Sequence, residues 1–321
     1  MIQQLITIAR NTFIESIRQP VFVVLILLAT LALILNPALA GYTFDDDNKL
    51  MIDMGLSTLF LTGLLLAAFT ATGVLSTEIE NRTALTVVSK PVARPVFVLG
   101  KYVGVVTAIG MAYWVLTMVF LLTVRHRVMQ TASDPFDEPV LTFGCLAGLL
   151  ALVGSTLANY FYRWVFTSTF AGSLTVLLTI AWGLVLMIGK GWQFQSPLVD
   201  LSPQLILVLL LVFEGVLVLT AVAIAASTRL GQVMTLVVSA VVFLIGLISN
   251  AVFGQLADES LLARVLYRLT LNLQLLWQAD ALTQGHDISG VYFTASAGYT
   301  VLYIAAILSL AIALFQKREV G

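Results

Sequence analysis

Residues 201–228 read LSPQLILVLLLVFEGVLVLTAVAIAAST, a run whose one charge is Glu214. A helix that crosses the hydrocarbon core of a bilayer needs about 20 predominantly apolar residues, and this run holds more than that. Glu214 does not forbid insertion. About fifteen Leu, Ile, Val and Phe residues at roughly −0.3 to −0.6 kcal/mol each outweigh a cost of about 3 kcal/mol for one central carboxylate. The carboxylate must then face protein or water rather than lipid. Two readings follow: a group on a translocation path or in proton coupling, or a protonated or hydrogen-bonded packing residue.

Working outward, further charge-free windows run 19–44, 54–77, 102–124, 139–162, 164–189, 230–257 and 288–316, each at least 23 residues long. Together they predict an all-α polytopic membrane protein with eight spans. The expected limits are about 21–41, 53–76, 96–124, 140–162, 165–189, 203–226, 232–253 and 298–316. Six spans with one re-entrant pair is the alternative count. The composition agrees, with 60% hydrophobic and 10% charged residues where a soluble domain carries about 25% charged. All of 1–321 reads as one transmembrane domain with no soluble part. A net charge of −1 gives no field to draw nucleic acid, and none is expected as a partner. Cys145, inside an apolar run, reads as a small buried hydrophobe. His126 and His286 lie far apart, and no Cys/His spacing suits a metal.

Basic residues set the expected orientation. With a cytoplasmic N-terminus, ten Lys and Arg fall inside, among them Arg10, Arg18, Arg82, Lys90, Arg94, Lys101, Arg163 and Arg229. Six fall outside: Lys49, Arg125, Arg127, Lys190, Arg264 and Arg268. The positive-inside rule therefore favours cytoplasmic N- and C-termini. Residues 1–18 form an amphipathic pattern, with Ile2, Leu5, Ile6, Ala9, Phe13 and Ile17 at helical spacing. Such a helix lies in the membrane interface against lipid, apolar side down. Pro20 permits a bend into the first span. Ala38-Leu39-Ala40-Gly41 mimics a signal-peptidase site, but the long, patterned leader favours an uncleaved first span. The segment 254–297 is expected outside. There Leu261, Leu262, Val265, Leu266 and Leu269 predict a helix capped by Ser260, a candidate lid resting on or dipping into the outer leaflet.

A pump needs a fuel site, and this chain has none. The nearest approach to a phosphate loop, Gly183 to Gly191, has the wrong spacing, no Ser/Thr, and lies within a span. Nothing argues for an enzyme.

The charged stretch between the second and third spans is STEIENRTALTVVSKPVARPVFVLGK, residues 76–101. Glu78 to Thr83 reads as the start of a short helix with acids in its first turn, as the helix dipole prefers. Ile79, Leu85, Val87 and Val88 give it an apolar component. Ser89-Lys90-Pro91 stops it, and Pro95 opens the next span. This pattern resembles the membrane subunit (permease) of type-2 ABC exporters, where the loop after the second span reads E-x-E-x-x-T, a short apolar stretch, S-[KR]-P-V-x-R, then G-K. The matching positions are Glu78, Glu80, Thr83, Ser89, Lys90, Pro91, Val92, Arg94, Gly100 and Lys101. Residues 1–18 are similar to that family's elbow helix. Many members have six spans where eight are counted here.

The resemblance implies a coupling helix within 77–95, docked on a separate cytoplasmic ABC ATPase in the cytoplasmic (inner) membrane. ATP and Mg would be bound by that partner, with no cofactor in this chain. A second permease chain, identical or paralogous, would complete the exporter. Glu78, Glu80, Arg82 and Lys90 would hold the docking register. Exposed charges contribute little each, so apolar residues such as Leu85 would supply more of the affinity. A proton-coupled carrier using Glu214 is the alternative function.

Overall fold

The computed structural model describes residues 1–41, 47–80, 93–129, 134–255, 261, 264, 265, 267 and 270–316. In chain order the helices are α1 (Ile2–Arg18), α2 (Pro20–Ala40), α3 (Asp47–Glu80), α4 (Arg94–His126), α5 (Glu138–Tyr162), α6 (Phe166–Met187), α7 (Pro203–Ser227) and α8 (Gln232–Ser249). A π-helical turn (Asn250–Gly254) extends α8. A 3-10 turn (Leu273–Leu275), the short α9 (Ala279–Thr283) and α10 (Gly290–Gln316) complete the set. Eight helices, α2 to α8 and α10, are long and apolar enough to cross a membrane. Among the described residues, the extended pairing outside helices is a single bridge, Ile188 with Phe194. The chain is an all-α polytopic membrane protein, with the spans where the charge-free windows put them.

Lateral surfaces make the same point. On α2, Val24, Leu28 and Leu31 are exposed; on α5, Leu146, Leu149 and Val153; on α8, Val233, Val237 and Leu244. Contiguous apolar surface on this scale is unfavourable in water and ordinary in lipid. By contrast α7 is apolar all round and buried, with Val208, Leu211, Val212, Val216 and Leu219 at 0% exposure, as expected of a helix enclosed by protein.

Two compact units divide the chain, each built from separate stretches. The first comprises Met1–Ser16, Gly63–Thr107 and Leu207–Gly321. In it, Gly63 admits α7 closely: a Cβ there would lie 2.4 Å from Val216 Cγ2. The Tyr102 hydroxyl donates to the Leu217 carbonyl at 3.3 Å, and Arg229 Nη2 donates to the Leu314 carbonyl at 2.6 Å.

The second unit comprises Ile17–Thr62 and Ala108–Ile206. Its helices α5 and α6 form a hairpin whose turn passes through Arg163, in the left-handed region at φ 58. The Asn159 side chain closes that turn by donating to the Trp164 carbonyl at 2.6 Å. Tyr160, Phe161, Tyr162 and Trp164 stand exposed around it, in keeping with an aromatic belt at a membrane interface. At the opposite end of α5 lies a buried charge cluster. Arg125 Nε is 3.3 Å from Asp137 Oδ2 and its Nη1 is 3.2 Å from Asp200 Oδ2. Nη2 donates to the Ile188 carbonyl at 2.6 Å, while Asp137 Oδ1 accepts from Val140 N and caps α5.

Four expectations need correction. Cys145 is exposed rather than buried. The second span begins at Asp47, not near 53; Asp47 and Lys49 belong to its first turns instead of preceding it. Glu78 and Glu80 lie in the last described turns of that same helix, because nothing between Gly73 and Glu80 breaks it. They do not open a separate helix. The last span begins at Gly290, not 298; Ser296 and Gly298 are carried inside it.

Candidate functional site

Of the residues expected to form the coupling loop, Arg82, Thr83, Leu85, Ser89, Lys90 and Pro91 lie outside the described residues, as does Val92. Glu78 and Glu80 end the described part of α3, and Arg94 opens α4, exposed. Lys101, two turns further into α4, is 3% exposed. Burying an ammonium is costly unless partners replace its water. Lys101 Nζ lies 3.7 Å from Glu15 Oε2, 3.5 Å from the Val74 carbonyl and 5.6 Å from the centre of the Phe97 ring. Phe97 in turn stacks on Phe315 at 5.5 Å. One side chain thereby gathers α1, α3 and α4, and its aromatic neighbour adds α10. These contacts stand at the ends of α3 and α4 that flank residues 81–92.

The contact between α1 and α4 is close because two glycines face it. A Cβ on Gly100 would meet Ile8 Cγ2 at 2.8 Å, and one on Gly104 would meet the Ala9 carbonyl oxygen and Thr12 Cβ, both at 2.5 Å. Small residues four apart let helices approach to backbone contact in membranes. The docked stripe of α1 is Leu5, Ile8, Ala9, Thr12 and Ser16, with Thr12 and Ser16 fully buried. Ile2 and Ile6 remain exposed on another face, available to lipid. The helix is therefore amphipathic as expected, but its inner stripe is small and partly polar rather than purely apolar.

Glu214 sits in a second polar group of the same unit. It is 8% exposed on α7, and its Oε2 accepts from the Thr300 hydroxyl at 3.2 Å. The Ser296 hydroxyl, one turn earlier, donates to the Phe293 carbonyl at 2.8 Å. Tyr292, Ser296 and Thr300 stand four apart on α10 and form one stripe.

Beside that stripe runs the stretch 270–276, irregular apart from the 3-10 turn Leu273–Leu275. The Tyr303 hydroxyl donates to the Thr270 carbonyl at 3.1 Å, Asn272 N donates to the Tyr299 hydroxyl at 2.8 Å, and the Tyr292 hydroxyl donates to the Leu275 carbonyl. Residues 270–275 thus descend α10 antiparallel, from Tyr303 to Tyr292, a drop of about 16 Å at 1.5 Å per residue. Leu271, Asn272, Leu273 and Leu276 are buried. On the other side Gly246 of α8 receives Leu273, whose Cγ would lie 2.8 Å from a Cβ there. Irregular backbone is tolerated at membrane depth only where protein or a water-filled cavity satisfies it, and the tyrosine hydroxyls do so here. Of the segment expected outside, residues 270–276 pack along α10 and against Gly246 of α8. Of its expected helix, the described residues Leu261, Arg264 and Val265 are helical; Ser260, Leu262, Leu266, Arg268 and Leu269 lie outside the described residues.

The structure brings Lys101 together with Glu15, which sequence reading did not connect, and Glu214 with Thr300. It places Lys101 and Glu214 in separate clusters. Gly100 and Gly104, and the Tyr/Ser/Thr stripe of α10, carried a legible signal: small or polar residues at helical spacing inside an apolar run. No protein-family model matches the chain, and no curated protein matches it significantly in sequence.

Proposed function

We propose that this chain is the membrane-spanning permease subunit of an ABC exporter, worked by a separate cytoplasmic ATPase and paired with a second permease chain. The observation that supports this most is the cluster around Lys101. It ties α1, α3 and α4 together beside the loop whose sequence resembles a coupling motif, so a displacement of that loop would be passed to several helices at once. On this reading the N-terminus, the loop and the C-terminus face the cytoplasm, and Glu214 lines or borders the translocation path. ATP and Mg belong to the partner.

The test is affinity purification of the tagged chain in gentle detergent from its native membrane. A stoichiometric ABC ATPase is expected, and it should be lost when residues 78–90 are replaced by a Gly/Ser linker. Absence of any ATPase, under conditions that keep other membrane complexes intact, would sink the reading.

A gradient-driven carrier is the second reading, favoured by the buried hydrogen-bonded Glu214 alone. It predicts transport in vesicles without ATPase, collapsed by a protonophore and abolished in Glu214→Gln. Unchanged transport in both Glu214→Gln and Glu214→Leu would remove Glu214 from either mechanism.

A further inference from the structure

Within the second unit, α2, α4, α5 and α6 line an open cavity of about 590 Å3. It reaches from Gly41 and Pro37 at one end of α2 down to Thr30, with Leu122, Gly144 and Leu178 among its walls. Eleven residues of helix span about 16 Å, close to half of the roughly 30 Å hydrocarbon thickness. The cavity is thus one leaflet deep, it includes the C-terminal end of α4, and its walls are almost entirely apolar. At its mouth stand His126 and Arg127. Arg127 also borders a second, polar cavity of about 250 Å3, lined by Arg125, Asp200 and Ser202.

Arg127 is an unusual choice for its position. It follows the end of α4 at φ 66, with its N–H donating to the Thr123 carbonyl at 3.1 Å. This left-handed helix end is ordinarily made by glycine, and a side chain there costs about 1–2 kcal/mol. The neighbouring carboxylates are engaged: Asp137 and Asp200 by Arg125, Glu138 by the Trp192 indole. Among the described residues Arg127 itself forms no ion pair. A strained backbone therefore holds an exposed guanidinium between an apolar slot and a polar one.

We propose that this is a binding site for one anionic glycerophospholipid, its acyl chain in the apolar cavity and its phosphate on Arg127. Apolar depth of one leaflet selects an acyl chain, and a cation with no ion pair among the described residues selects a negative headgroup over a zwitterionic one. The site is independent of the exporter reading, since it needs neither the loop nor a partner.

Cys145 lines the cavity and is the one cysteine of the chain, which supplies a reporter. The full chain, labelled at Cys145 with a small fluorophore and held in nanodiscs, is titrated with phosphatidylglycerol or phosphatidylcholine carrying the same brominated acyl chain. Saturable quenching is expected, with phosphatidylglycerol preferred about tenfold, or 1.4 kcal/mol. Arg127→Gly relieves the backbone strain, so it should fold at least as stably as wild type while bringing the preference to within about twofold. Gly148→Phe points a ring into the cavity from a position where a Cβ meets nothing within 4 Å, and should abolish quenching by both lipids. Native mass spectrometry of unlabelled protein should show one retained phosphatidylglycerol, absent in both variants. Equal quenching by the two lipids in wild type would reduce the cavity to an annular lipid contact and overturn the proposal. So would an unchanged preference in Arg127→Gly.

Discussion

Substituting Gly104 tests the docking of α1 more sharply than removing any charge would. In a free helix, Gly→Ala gains about 1 kcal/mol of propensity. At Gly104 the new Cβ would lie 2.5 Å from both the Ala9 carbonyl oxygen and Thr12 Cβ. An ordinary contact begins at 3.4 Å, so α1 must retreat by about 0.9 Å, and one of the opposing atoms is backbone that cannot rotate away. Overpacking of this kind costs about 1–3 kcal/mol. The net for Gly104→Ala is a loss of about 0–2 kcal/mol, and Gly104→Val, with more bulk and less propensity, loses about 2 kcal/mol or more. Gly154 and Gly172 provide controls, since a Cβ at either meets nothing within 4 Å; the same Ala change there should be neutral or stabilising. Arg10 and Arg18 of α1 are exposed, so trypsin reports docking directly. If cleavage follows the undocked population, a loss of 2 kcal/mol raises its rate about thirtyfold. Cleavage of Gly104→Val at the rate of Gly154→Ala would refute the close packing of α1 on α4.

Three further outcomes follow from the same geometry. Arg125→Met strands Asp137, which is 0% exposed, and should cost about 3–5 kcal/mol by thermal unfolding. Adding Asp137→Asn should recover part of that loss, and strict additivity of the two changes would show the pair is uncoupled. Tyr303→Phe removes the donor to the Thr270 carbonyl, at a cost of about 1–3 kcal/mol. Hydrogen exchange over 271–276 should therefore speed up about tenfold or more, and unchanged exchange would argue against this anchoring. Lys101→Met keeps the apolar stem and loses a pair whose acid is 41% exposed, so its stability cost should be about 1 kcal/mol or less. If Lys101 is a coupling node, transport falls well beyond that loss; transport that tracks stability alone would reduce it to a packing residue.

The spans were legible because the bilayer imposes a one-dimensional rule: count apolar residues until the core is crossed. Errors arose where that rule says nothing. Asp47 and Lys49 were placed before the second span, yet charges at a helix end are free to sit in water or headgroups while the helix continues. Gly290 to Ser296 was assigned outside, although the charge-free window from 288 already covered it. The polar stripe Tyr292, Ser296 and Thr300 starts in that part, and its Thr300 is the connection to Glu214. Side-chain partners over long separations were not legible at all. Glu15 precedes Lys101 by 86 residues, and Thr300 follows Glu214 by the same interval. Local traces existed for the packing of α1 on α4, Gly100 and Gly104 four apart in a motif whose physical meaning is close approach, and for the polar stripe of α10.

The two polar groups of the first unit differ in how they are held, and that difference bears on what each can do. At Gly100 and Gly104, α1 meets α4 through atoms that include backbone, and Lys101 adds an ion pair, a carbonyl contact and a ring contact on the neighbouring turn. Such an interface is stiff, because sliding it must break close packing and uncover a buried ammonium together. Around Glu214 the contact joins the Thr300 hydroxyl to a carboxylate, and it can exchange with water or a solute at a net cost of about 1 kcal/mol per hydrogen bond. The tyrosine-held segment 270–276 beside it is likewise fastened by hydroxyls rather than by a helical ladder. On the exporter reading this is the useful arrangement. A stiff cluster next to the loop carries displacement without absorbing it, and an exchangeable cluster further along the spans is where that displacement can alter what is bound.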